Sequence, residues 1–155
     1  MELIILIGLQ ASGKSAFRRT HFSNTHFCIS KDDFPKAKKR NLRQQRMLEE
    51  AFRQGPSVIV DNTNPTIEDR AALIALAHPF QVKVTGYYFE SMVGDCLKRN
   101  SERQGAARVS DVALFSTIKK MLPPSYREGF DKLFHVRIMG NLNFEISDWI
   151  EDGQQ

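Results

Sequence analysis

Short apolar runs alternate along the chain with longer stretches of helical spacing. Leu3-Ile4-Ile5-Leu6-Ile7 is continuously apolar and bounded by Gly8, the signature of a strand buried on both faces. A helix is expected to begin at Lys14 and run to Thr20. Phe27-Cys28-Ile29 reads as a second strand, followed by a polar helix from Pro35 to Gln54 with Leu42, Leu48, Ala51 and Phe52 available to the core. Gly55-Pro56 breaks the chain, and Val58-Ile59-Val60 is a third buried strand. Ile67 to Ala77 follows as a helix with Leu73, Ile74 and Ala77 inward, closed by His78-Pro79. Val82 to Phe89 is a fourth strand. Helices are expected over Val93 to Glu102 and Asp111 to Leu122, the latter stopped by Pro123-Pro124. Lys132 to Ile138 is a fifth strand, and the pattern assigns no element to the tail from Asn141.

Strands and helices that alternate this regularly predict an α/β fold, because parallel neighbours need a crossover and the crossover is usually a helix. The expected architecture is a three-layer α/β/α sandwich with a mostly parallel sheet of about five strands. Ligands in such folds collect outside the carboxyl ends of the strands. With 155 residues, 41% of them hydrophobic and 26% charged, the chain is expected to form a single domain over residues 1–155. Its longest apolar run is far short of the ~20 residues that cross a bilayer. Met1-Glu2 opens without the basic region of a signal peptide. The expectations are therefore no membrane and a cytoplasmic location, with Cys28 and Cys96 as reduced thiols. His21, His26, His78 and His135 are scattered without metal-ligand spacing.

Gly8-Leu9-Gln10-Ala11-Ser12-Gly13-Lys14-Ser15 matches Gly-x-x-x-x-Gly-Lys-Ser/Thr, between a buried strand and a helix as that motif requires. Its glycines let backbone N–H groups turn toward phosphate oxygens, and the helix N-terminus adds a positive field. Gly8, Gln10, Ala11, Ser12, Gly13, Lys14, Ser15 and Ala16 are thus the expected ATP-binding residues. Lys14 would reach the β- and γ-phosphates, and Ser15 would place its hydroxyl on Mg²⁺.

Two acidic segments arrive at the same sheet edge, Ser30-Lys31-Asp32-Asp33 after the second strand and Asp61-Asn62-Thr63-Asn64-Pro65 after the third. A hydroxyl acceptor needs a carboxylate to take its proton, which Asp32 or Asp33 can supply. Asp61 is expected at Mg²⁺, directly or through water, with Asn62 and Asn64 toward the acceptor. Asp95, Arg99 and Arg103 recur at four-residue spacing and would share a helix face, followed by Gly105-Ala106-Ala107 as a segment able to close over nucleotide. Net charge is +4, and Lys36, Lys38, Lys39, Arg40, Arg43 and Arg46 fall within eleven residues. Such an excess favours an anionic partner.

Gly8 to Ser15, Ser30-Lys31-Asp32-Asp33, Asp61 to Pro65, Arg99-Asn100-Ser101-Glu102-Arg103, Val109-Ser110-Asp111, Phe115-Ser116, Pro123-Pro124 and Glu128-Gly129-Phe130 together resemble the kinase domain of 5′-hydroxyl polynucleotide kinases, of both the bacteriophage and the animal DNA-repair types. The resemblance spans Leu3 to about Val136. It implies that Lys14 and Ser15 serve ATP and Mg²⁺, that Asp32 is the general base, and that Asp61 organises the metal shell or the acceptor side. Arg99 and Arg103 would be lid arginines on the ATP phosphates. The phage and several bacterial relatives carry an acceptor-contacting arginine three residues after the base, where this chain has Pro35. Lys36 or another member of the basic run is the stand-in.

Three readings follow. The first is an ATP-dependent kinase for a 5′-hydroxyl end of DNA or RNA. The second is a P-loop kinase for a small hydroxyl substrate such as a nucleoside, sugar or antibiotic. The third is a nucleotide-dependent binding module without transfer; a GTPase switch is disfavoured because Asp-x-x-Gly and Asn-Lys-x-Asp are missing.

Overall fold

The computed structural model describes residues 1–34, 38–139 and 143–151. Among them, six strands form one sheet: β1 (Glu2–Ile7), β2 (Phe27–Ile29), β3 (Val58–Val60), β4 (Lys83–Glu90), β5 (Lys132–Met139) and β6 (Asn143–Asp148). The α-helices are α1 (Lys14–Phe22), α2 (Arg40–Gln54), α3 (Ile67–Ala77), α4 (Val93–Glu102) and α5 (Asp111–Lys120). Strand order is β2-β3-β1-β4-β5-β6. Every neighbouring pair from β2 to β5 is parallel, and only β5 with β6 is antiparallel.

β1 lies at the centre, with Leu3 to Ile7 fully buried. Because side chains alternate along a strand, Leu3, Ile5 and Ile7 pack on one face with Leu48 and Phe52 of α2 and Leu73 and Ala77 of α3. Ile4 and Leu6 pack on the other face with Phe17 of α1 and Phe89. Two apolar layers on one central strand make this an α/β/α sandwich. A third, smaller cluster of Leu9, Cys96 and Leu114 seats α4 and α5 beside the loop after β1.

Several expectations are corrected. The sheet has six strands rather than about five, because β6 pairs Asn143 with Met139 through Asp148 with Phe134. Phe144 and Ile146 alternate with polar neighbours, but only Phe144 is partly buried, and two apolar positions are too short a pattern to mark a strand. Leu42 is exposed, and Gln44 takes the buried position on α2 instead. α4 ends at Glu102, and Arg103 is extended with φ −76° and ψ 152°, which takes it off the helical face of Asp95 and Arg99. α2 is helical from Arg40; its expected start at Pro35, with Lys36, lies outside the described residues.

Candidate active site

The C-terminal ends of β1, β2 and β3 open into one cleft of about 390 Å³. Gln10, Ser12, Lys14 and Ser15 line it from the P-loop, Lys31 and Asp32 from the turn after β2, and Asp61 and Asn62 from the loop after β3. Arg40, Arg103 and Lys120 add positive charge to the same walls.

The P-loop bends through left-handed backbone at Ala11 (φ 60°) and Gly13 (φ 94°). At Gly13 the positive φ strains any side chain, and a Cβ would also lie 2.5 Å from Ile138 Cδ1, whose end would have to shift. Ala11 carries the strain that a non-glycine residue meets in this region. Arg99 Nε donates to the Ala11 carbonyl at 2.6 Å, which fixes that peptide. Lys14 is buried, and its Nζ donates to the carbonyls of Gly8 and Leu9 at 2.9 and 2.5 Å and to Ser12 Oγ at 3.3 Å. Burial pushes the ammonium down to about 8, against attraction chiefly from Asp61. It is a buried cation bonded only to neutral oxygens, and a phosphate would satisfy it.

Ser15 Oγ donates to Asp61 Oδ2 at 2.8 Å, and Arg18 Nε donates to the same oxygen at 3.1 Å. The donation to Asp61 commits the hydroxyl proton and leaves the Ser15 lone pairs free for a cation. Two hard oxygen donors at this separation fit Mg²⁺. Arg18 sets a positive charge against the almost buried Asp61 side chain. Nothing in the sequence distinguishes Arg18 from Arg19 beside it, since positions three and four after Ser15 both neighbour it on α1.

Asn62 and Asn64 act inside the fold. Asn62 Oδ1 accepts from the Lys31 backbone N–H at 2.9 Å, and its Nδ2 donates to Gln44 Oε1 at 2.6 Å. This ties the Asp32 turn to the Asp61 loop and to α2. Asn64, at φ 46°, donates Nδ2 to the Leu6 carbonyl at 2.8 Å. The Gly8 N–H donates to the Thr63 carbonyl at 3.0 Å. The loop after β3 is thus fastened to the start of the P-loop.

Asp32 sits on a short 3-10 turn, Lys31–Asp33, capped by Ser30 Oγ. Its side chain is 94% exposed, with Arg40 Nη2 at 3.9 Å from Oδ1. It therefore stands at the lip of the cleft that holds Lys14, on the solvent side. The two arginines expected on a lid part company, because Arg99 holds the P-loop while Arg103 lines the cleft and donates to the Ala107 carbonyl at 3.3 Å. Asn100, fully buried, donates to the Val109 carbonyl at 2.7 Å and accepts from its N–H at 3.0 Å. That clasp closes the ends of the Arg103 loop. Gln10 Nε2 donates to Thr117 Oγ1 at 2.8 Å, docking α5 on the P-loop.

Arg70 went unremarked in the sequence. Its side chain is fully buried, with Nε and Nη2 donating to Glu128 Oε1 and Oε2 at 2.8 and 3.1 Å. Nη1 donates to the carbonyls of Asn64, Pro65 and Leu122 at 3.1, 3.2 and 2.9 Å. One guanidinium thereby joins α3, the Asp61 loop, the end of α5 and the Ser125–Glu128 turn.

Residues 3–123 match the model of the AAA domain family. The bifunctional polynucleotide phosphatase/kinase of Schizosaccharomyces pombe is 26% identical over 138 residues, covering 87% of this chain and 33% of that protein. The chain thus spans about a third of that relative's length. Its similarity to polynucleotide kinases, read from the motifs, recurs in this match. Among solved structures, Chaetomium thermophilum Kti12 in complex with ADP-AlF3 superposes with a TM-score of 0.69 at 16% identity, covering 87% of this chain and 88% of that one. A sugar kinase from Janibacter sp. HTCC2649 superposes with a TM-score of 0.65 at 15% identity, covering 88% and 85%. At these identities the superpositions establish a common P-loop α/β fold.

Proposed function

Because the chain belongs to the AAA domain family of P-loop proteins, we propose that it is an ATP-dependent kinase, and that its acceptor is the 5′-hydroxyl end of a nucleic acid. The observation that carries this reading is the shared cleft, lined by both a buried lysine and an exposed carboxylate. Residues 1–155 act in it as one P-loop kinase unit.

In the proposed mechanism the P-loop N–H groups and Lys14 bind the triphosphate. Ser15 and Asp61 would hold Mg²⁺, which would supply positive charge to offset that of the phosphates. Asp32 accepts the proton of the acceptor hydroxyl as its oxygen bonds the γ-phosphorus and the bond to the β-bridging oxygen breaks. Arg103 brings positive charge to the transferring group, while Arg99 keeps the Ala11 peptide in place for the phosphates. Asn62 and Asn64 serve the acceptor side by fixing the Asp32 and Asp61 loops.

A base that stands 94% exposed is open to the end of an acceptor too large to be enclosed, which supports a polymer over a small molecule. Lys31, Arg40 and Lys120 on the cleft walls suit a phosphorylated acceptor. Labelled ATP incubated with a 5′-hydroxyl oligonucleotide, its 5′-phosphorylated twin and a panel of nucleosides, sugars and antibiotics tests the reading. Transfer to the first alone is expected. Transfer to a panel member makes the protein a small-molecule kinase, and hydrolysis without transfer makes it a nucleotide-dependent binding module. Asp32→Asn should keep ATP affinity within about twofold and lose at least about a hundredfold in transfer rate, the usual worth of a general base. Full activity in that variant would remove Asp32 from the mechanism.

A further inference from the structure

Lys38, Lys39, Arg40, Arg43 and Arg46 place five cations and no acid within nine residues, more positive charge than the +4 of the whole chain. Lys38, Lys39, Arg43 and Arg46 are all exposed. The ion pairs of α2 among the described residues lie elsewhere: Arg53 pairs with Glu49 and Glu50 at the far end, and Arg40 with Asp32 at the cleft. Positions 43 and 46 share one face of the helix, and Lys39 is the N-cap at its start, in left-handed backbone. That face runs from the cleft wall at Arg40 about 9 Å along the axis to Arg46, at about 1.5 Å per residue.

Beyond the Arg40–Asp32 pair and the Arg43–Phe34 contact, the fold gains little from this charge. Cations at a helix N-terminus oppose the helix dipole and one another. The first turn of α2 contains no acid, and its N-cap Lys39 makes no side-chain capping bond. Arg43 is held in place by its guanidinium lying 4.8 Å from the centre of the Phe34 ring. Arg40 Nε is buried without a hydrogen-bond partner among the described residues. A polyanion would relieve the repulsion. A lipid surface is a poorer fit, because an interfacial helix needs a free apolar face, whereas Leu48, Ala51 and Phe52 of α2 are spent on the core.

We propose that the exposed Lys39, Arg43 and Arg46 form a track for the phosphodiester backbone of the nucleic-acid acceptor, carrying the strand away from the end presented to Asp32. The identity of that end rests on the polynucleotide kinase reading, while the track itself is a binding surface testable without catalysis.

The test uses the full chain and a single-stranded 5′-hydroxyl oligonucleotide with a fluorescent 3′ label. In Arg43→Gln/Arg46→Gln the affinity should fall about tenfold, and the slope of log K against log salt should shrink by roughly 1.4, two contacts at about 0.7 each. ATP affinity should not change. Lys39→Gln/Arg46→Gln, which leaves the Phe34 stack intact, should give the same loss, excluding a folding defect. In transfer assays the ratio of kcat/KM for a long strand over a 3′-phosphorylated mononucleoside should drop in both variants. Unchanged affinity and slope, or tighter binding of anionic vesicles or an acidic peptide than of the oligonucleotide, would overturn the track. Salt-dependent oligonucleotide binding that the variants weaken, in a protein without 5′-hydroxyl transfer, would retain the track and refute the kinase reading alone.

Discussion

Burial holds the Lys14 ammonium near 8 in the free protein, while a bound triphosphate requires it charged. Above pH 8 the free lysine is increasingly neutral, so ATP binding must take up a proton, and affinity must fall as pH rises through that value. At pH 9, one unit above, the uptake costs about 1.4 kcal/mol, or about tenfold in affinity. Calorimetric titration should therefore give ATP binding about tenfold weaker at pH 9 than below pH 8, with proton uptake visible as a buffer-dependent heat. Affinity constant across that range would mean that Lys14 stays charged without ligand. At this scale the sequence was legible for the P-loop, because its chemistry depends on contiguous residues. Asn62 and Asn64 were legible as polar groups near the site but not as internal fasteners, since Gln44 and the Leu6 carbonyl are distant in sequence.

Arg70 and Glu128 show the same limit between elements. They are 58 residues apart, and a lone arginine on an apolar helix gives no sign that it points inward. The pair holds the Asp61 loop against α3 and the end of α5, and it is almost dry. Arg70→Met should cost about 3–5 kcal/mol in urea unfolding, because the buried Glu128 loses its partner and three carbonyls lose a donor. A loss below about 1 kcal/mol would show that water reaches the site and replaces the guanidinium. Helix boundaries were readable where side chains cap locally, as Ser110 Oγ does for the Ala113 N–H and Thr66 Oγ1 for the Asp69 N–H. β6 escaped notice because its stability comes from the ladder with β5 and from Phe144 against Phe17, with ring centres 5.3 Å apart.

For the whole molecule, β6 decides whether the C-terminal end belongs to the same cooperative unit as the P-loop. Phe144 joins the cluster of α1, and Trp149, the only tryptophan, packs edge-on against Tyr88 of β4 with ring centres 5.5 Å apart. Trp149 fluorescence and helical circular dichroism should therefore report one urea midpoint, and Phe144→Ala should shift both together by about 2 kcal/mol, less than a fully buried ring because Phe144 is only partly covered. Two separate midpoints would make the β5–β6 end an independent unit.

By itself the sequence determined the alternation of buried strands and amphipathic helices, and with it the α/β class. It also determined the P-loop and the chemical types gathered at one sheet edge, since each of these is written in neighbouring residues or in a short period. Only the tertiary structure decided that Ser15 and Arg18 share the Asp61 carboxylate, that Arg99 holds the P-loop while Arg103 faces the cleft, and that Arg70 lies in the core. Those partnerships join residues brought together by strand order, and strand order follows from packing of the whole chain, which no local pattern encodes.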